Sequence, residues 1–347
     1  MKPLRALAPA VVVLGALATP YVGPASASTA PQAAPQASTS RGTSTPVKAT
    51  PKLPRVKEYV SLGDSWSADV VFANQDGTPD STYAPIDCAQ SHRNYPKLVA
   101  AELGVATLRD ATCGSATTDD FTAPQDLPAG GQNPPQFDRL TKSTDLVTVG
   151  IGGNDAGIAG AGMDCLNALP VANPLPAGTV PPLPDNPVPV IGSEAPLGGC
   201  KDKYTAGGHD QLSERIRQAE PKLVAAFRAI HRISPHARVL AVDYLSLVPD
   251  HGCYPTVPAT DEDMSYIHDK FIELNAMVKR AAGRGGAEFV NTYTPTLGHD
   301  FCQLPTVRYG EIYGPSANDP AVGVPAHPNA AGARAQAAVV LDYLRRH

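Results

Sequence analysis

The feature that most restricts this chain is a regular exchange of short apolar runs with longer helical patterns. Val56 to Leu62, Ala106 to Ala111, Leu146 to Ile151, Val239 to Val242 and Glu288 to Asn291 read as strands. Helical patterns lie around Tyr95–Leu103, Leu212–Ile233 and Asp261–Ala282, and a last one runs from Pro328 to Leu344 with proline at its start. Strand–helix alternation of this kind predicts an α/β domain built on a parallel sheet. In such sheets ligands bind beyond the carboxyl ends of the strands. Any motif that carries chemistry should therefore stand just after a strand.

The N-terminus is different in kind. Lys2 and Arg5 precede an apolar run from Val11 to Ala18, and Ala25-Ser26-Ala27 offers a small-residue cleavage site. That layout predicts a secretory signal peptide over residues 1–27, hence an extracellular protein. The run falls short of the roughly 20 apolar residues of a membrane span, and no other stretch approaches that length, so stable membrane insertion is not expected. Residues 28–54 are nearly all Ala, Pro, Ser, Thr and Gln. Such a segment cannot bury enough apolar surface to offset the entropy of ordering it, so it reads as a disordered linker, with the folded domain at 55–347. A second Pro-rich patch, 170–196, lies between Cys165 and Cys200 and reads as a long surface loop. A net charge of −5, with only 18% charged residues and both signs interspersed, gives no sign of a nucleic-acid partner. A monomer is the default expectation.

Export changes how the cysteines read. Cys88, Cys113, Cys165, Cys200, Cys253 and Cys302 are an even set in an oxidising compartment, which predicts three disulfides. Six cysteines allow 15 pairings, and spacing alone does not choose among them. If sequence neighbours pair, each bridge closes a loop of tens of residues and contributes about 3–4 kcal/mol in the loop-entropy account. No C-x-x-C and no H-E-x-x-H occurs, so a zinc site has no support.

Four segments carry candidate chemistry. The first strand ends in Gly63-Asp64-Ser65-Trp66, where Gly63 permits a tight turn and Ser65 stands at a strand-to-helix junction. A serine hydroxyl is a weak acid and needs a partner base to attack at neutral pH. The second segment, Cys113-Gly114-Ser115-Ala116, follows a strand and is made of small residues, so its backbone N–H groups could face a substrate. The third runs Gly150-Ile151-Gly152-Gly153-Asn154-Asp155 after a clear strand, which puts the Asn154 amide over the strand ends. The fourth is His327-Pro328-Asn329, in which the imidazole stands on the loop before the last helix. Taken singly, each is modest evidence, and ordinary turn or cap chemistry is the plainer reading of the first three. No G-x-S-x-G elbow is present, and the best-placed histidine comes last in the chain.

Taken together and in this order, the four segments resemble the Ser, Gly, Asn and His blocks of the GDSL/SGNH hydrolase family. The resemblance spans the folded domain, from Tyr59 to the final helix. The six cysteines, with Cys88 shortly before Asn94-Tyr95-Pro96, are similar to those of secreted actinobacterial lipases, phospholipases and esterases. It implies a flavodoxin-like three-layer α/β/α sandwich and hydrolysis of carboxylic esters without metal or cofactor. It further implies disulfides Cys88–Cys113, Cys165–Cys200 and Cys253–Cys302. In this reading Ser65 is the nucleophile and His327 the general base. The oxyanion hole comprises the Ser65 amide, an amide of the second block and the Asn154 side chain. The substrate is a small-molecule or lipid ester. An acyltransferase with the same dyad, or a silent binding protein on the same fold, are the alternatives.

Two positions depart from the family pattern. The second block usually reads Ser-Gly-Ala, and this chain has Gly114-Ser115-Ala116, so Ser115 occupies the glycine position and either amide could serve. The family commonly has Asp three residues before the histidine, and here that residue is Val324; Asp319 is the nearest upstream carboxylate. A main-chain carbonyl, at Val324 or Pro325, is expected to orient His327 instead, fixing its tautomer without supplying a full negative charge.

Overall fold

All five apolar runs pair into one parallel sheet. In a computed structural model that describes residues 52–128, 130–165, 198–254, 256–312 and 321–347, the strands are β1 (Glu58–Gly63), β2 (Thr107–Asp110), β3 (Leu146–Gly150), β4 (Arg238–Val242) and β5 (Glu288–Val290). The expected signal peptide, linker residues 28–51, the Pro-rich loop at 170–196 and Asp319 lie outside the described residues. The spatial order is β2-β1-β3-β4-β5, with Tyr59 opposite both Leu108 and Leu146, and Val147 opposite Val239. This is the flavodoxin-like order, whose direction of winding reverses between β1 and β3. The crevice between those two strand ends is where such a sheet can hold a ligand.

Side chains alternate across the sheet, as the two-residue period of a strand requires. Val60, Leu62, Val147, Val149, Val239 and Ala241 pack on one face beneath α5 (Gln211–Ile233) and α6 (Asp261–Gly285). Tyr59, Leu146, Leu240, Val242 and Val290 pack on the other beneath α2 (Tyr95–Leu103) and α7 (Ala330–Arg346). Both faces are covered, giving three α/β/α layers, and β3 is buried along its whole length, as expected for a parallel sheet.

The helices begin where side chains can take the free N–H groups of a first turn. Asn94, Asp210 and Thr260 cap α2, α5 and α6. The last helix starts two residues later than its proline suggests. Asn329 accepts from the amides of Ala331 and Gly332, so Pro328 stands before the cap rather than inside the first turn. Among the described residues three shorter α-helices complete the set: α1 (Ser65–Ala68), α3 (Ile158–Cys165) and α4 (Cys200–Thr205). A small ribbon, Val71–Ala73 against Val322–Gly323, left no trace in the sequence pattern, because strands of two or three residues are too short to show a period. Disulfides join Cys88 to Cys113, Cys165 to Cys200 and Cys253 to Cys302. Among the described residues no helix is long and apolar enough to cross a membrane.

Candidate active site

Ser65 opens α1 directly after β1, so the strand end and a capped helix start fix it from both sides. Gly63 is required there by close approach rather than by an unusual φ. A Cβ on it would lie 2.6 Å from the Gly150 carbonyl oxygen and 2.6 Å from Ser67 Oγ. Gln136 fixes the same residue, accepting the Gly63 amide at 2.8 Å and donating to its carbonyl at 2.9 Å. Ser67 Oγ donates to the Gly150 carbonyl, which ties the ends of β1 and β3 together.

Asp64 is buried beside the nucleophile candidate. It accepts the Trp66 amide at 3.0 Å on one oxygen and a short hydrogen bond from the Tyr244 hydroxyl on the other. The Tyr244 oxygen in turn accepts the Gly153 amide at 2.8 Å. Burial pushes the Asp64 carboxyl up to about 7, opposed by these donors. Trp66 packs edge-on against Tyr244 at 5.3 Å, which braces the same link. Sequence reading missed Tyr244 and Gln136. Only the fold brings them to the turn, and neither stands in a motif.

His327 Nε2 lies 2.9 Å from Ser65 Oγ, and His327 Nδ1 lies 2.9 Å from the Pro325 carbonyl oxygen. A carbonyl can only accept, so Nδ1 carries the proton and Nε2 presents its lone pair to the serine. Of the two carbonyls expected to orient the ring, Pro325 makes this hydrogen bond rather than Val324, whose carbonyl adds a weaker pull in the same direction. Removal from water pushes the imidazole down to about 4, against both carbonyls. The chain around it is held by its backbone: Glu311 donates to the His327 carbonyl, Ala326 donates to the Glu311 carbonyl, and Val324 donates to the Val70 carbonyl.

The second block separates its two candidate amides. Gly114 N–H donates to the Cys88 carbonyl at 3.1 Å, so it is engaged in the loop that the Cys88–Cys113 bridge closes. Ser115 takes φ +63°, a left-handed conformation in which a non-glycine residue is uncommon. No described residue accepts its amide or that of Ser65. Asn154 Nδ2 donates one hydrogen to the Ala116 carbonyl at 2.9 Å and keeps a second. The neighbouring Asp155 accepts from the Thr118 amide and hydroxyl, which locks the second and third blocks together.

A largely apolar cavity is lined by Ser65, Asn154 and His327, with walls that include Trp66, Ile158, Met264, Ile267, Phe271 and Phe301. Its lining residues on α6 recur at helical spacing, so one face of that helix forms a wall. An apolar cavity opening on a serine–histidine pair suits an ester with an acyl chain.

The chain is also similar to known proteins. Residues 61–335 match the GDSL-like Lipase/Acylhydrolase family model. Lipase 2 of Streptomyces coelicolor is 34% identical over 309 residues, covering 86% of this chain and 88% of that protein. An esterase of Streptomyces scabiei is 29% identical, covering 82% and 84% of the two chains. In fold, the chain is similar to a phospholipase A1 from Streptomyces albidoflavus, with TM-score 0.58 and 22% identity, over 82% of this chain and 98% of that one. An extracellular lipase from Streptomyces rimosus gives TM-score 0.54, with the same identity and coverage.

Proposed function

The chain belongs to the GDSL-like lipase/acylhydrolase family of carboxylic ester hydrolases, and on that premise we propose that Ser65 and His327 form its catalytic dyad. The observation that carries the proposal is the hydrogen-bonded line from Ser65 Oγ through the imidazole to the Pro325 carbonyl. His327 Nε2 takes the serine proton as Oγ attacks the ester carbonyl, and a tetrahedral intermediate forms. The amides of Ser65 and Ser115 and the Asn154 side chain receive its oxyanion. Nε2 then returns the proton to the leaving alcohol, and water activated by the same imidazole releases the acid from the acyl-enzyme. The low imidazole pKa keeps the base neutral across the neutral range. The dyad calls on no metal or cofactor.

The acyl chain lies in the apolar cavity beside α6, which favours fatty acyl esters, lipids among them. Three disulfides support an extracellular site of action, to which residues 1–27 direct the chain; the linker at 28–54 lies between that segment and the domain at 55–347. The test is hydrolysis of p-nitrophenyl esters from C2 to C16 by the parent and by Ser65→Ala. The parent should release free acid, and the variant should lose several orders of magnitude in kcat/KM. Equal rates in the two proteins would refute the serine mechanism.

A further inference from the structure

The acyl cavity contains one group that an apolar chain does not satisfy. Asp263 lines it at the first turn of α6 and is 1% exposed. Its Oδ1 accepts the Lys201 amide at 2.9 Å, and its own amide donates to Thr260 Oγ1. These bonds fix the carboxylate in place. Its Oδ2 is buried and accepts no hydrogen bond from any described residue. The Lys201 ammonium does not answer it, because it pairs with Glu262 at 2.7 Å. A buried acceptor without a donor is costly, and proteins rarely leave one in an otherwise apolar wall.

The position of Asp263 says what would answer it. Phe271 packs against Trp66, the neighbour of Ser65, with ring centroids 5.2 Å apart. Two helical turns, about 12 Å, separate Phe271 from Asp263 along α6. A chain attached at Ser65 and lying along this wall would bring its distal part to the carboxylate. We propose that Asp263 is a specificity residue that selects acyl chains carrying a hydroxyl near their distal end, by accepting that hydroxyl on Oδ2. This deepens the ester-hydrolase reading and rests on it. A hydroxyl is the donor that fits. An ammonium would have to enter the apolar channel as a desolvated ion, and a carbonyl offers no hydrogen.

Binding of the product acids tests the selection without turnover. Calorimetry on the parent protein compares each ω-hydroxy fatty acid with the plain acid of equal length, from C6 to C16. The hydroxy acid should bind at least about ten-fold more tightly at one length or two adjacent lengths, where the hydroxyl reaches Oδ2, and more weakly at the others. Asp263→Asn keeps an acceptor for the Lys201 amide but replaces one oxygen with a donor, and it should remove that advantage. No preference at any length, no binding of either acid, or an advantage that survives Asp263→Asn would overturn the proposal. Plain p-nitrophenyl esters assayed alongside report on the dyad separately. Their hydrolysis without the preference removes Asp263 only, whereas the preference without hydrolysis removes the dyad only.

Discussion

The two halves of the candidate dyad are held by different means. Ser65 sits in a turn fixed by side chains, Asp64 and Ser67 beside it and Gln136 and Tyr244 from distant segments. His327 sits in a loop fixed by backbone groups, with the Pro325 carbonyl on its ring and Glu311 and Val70 pairing with the chain around it. Side-chain supports can be removed one at a time by substitution, whereas backbone supports survive most substitutions. The nucleophile side should therefore be sensitive at many positions, and the base side at His327 itself and few others.

The sharpest break comes at the base. His327→Ala should lower kcat/KM by several orders of magnitude, close to the loss in Ser65→Ala, because members of a catalytic unit act together. Asp319→Ala should stay within about two-fold of the parent, since the account assigns the orienting role to a carbonyl; a loss of orders of magnitude there would collapse the contrast between the two halves. The oxyanion side comes next. Asn154→Ala removes an amide donor and should cost about 10²–10³ in kcat with a smaller change in KM, read from steady-state kinetics on one ester.

A support further from the reacting atoms should matter less. Tyr244→Phe leaves the Gly153 amide and one Asp64 oxygen without partners, loosening the link between the nucleophile turn and the turn that carries Asn154. We expect kcat to fall about ten-fold and the protein to lose about 1–3 kcal/mol of stability, seen as a lower melting temperature. An unchanged kcat would show that the nucleophile turn stands without this network. The smallest effect belongs to Ser115→Gly. The amide remains and the left-handed φ suits glycine, so kcat should stay within about two-fold while relief of backbone strain and the added freedom of glycine nearly cancel in stability.

The same division governs what the sequence reveals. Four of the five sheet strands and the four long helices are legible because each is long enough to show its pattern, whereas three-residue β5 is marked only by following a long helical stretch; the parallel sheet follows from their alternation. Gly63, Asp64, Ser65, Asn154 and His327 stood out because they follow strands or precede a helix start. Tyr244 and Gln136 did not, since a lone polar residue carries no local sign that the fold will bury it against a turn far along the chain. The engagement of the Gly114 amide was likewise hidden. It depends on which amide the Cys88 carbonyl engages, a contact made across the disulfide loop. The cavity wall was present as the apolar stripe of α6, but only the packing of that helix over Trp66 turns a stripe into the wall of a cavity.

The central claim, a serine activated by a neutral histidine that backbone carbonyls orient, is most directly tested by the pH dependence of inactivation with a serine-reactive phosphonate. The base works only unprotonated, so the rate must fall as pH drops through the imidazole pKa. A single adduct on Ser65 is expected, with a rate that falls off in acid with a midpoint near the lowered value of about 4. An adduct on another residue would contradict it, as would a midpoint near the ordinary imidazole value of about 6.5, which would mean that burial does not lower His327.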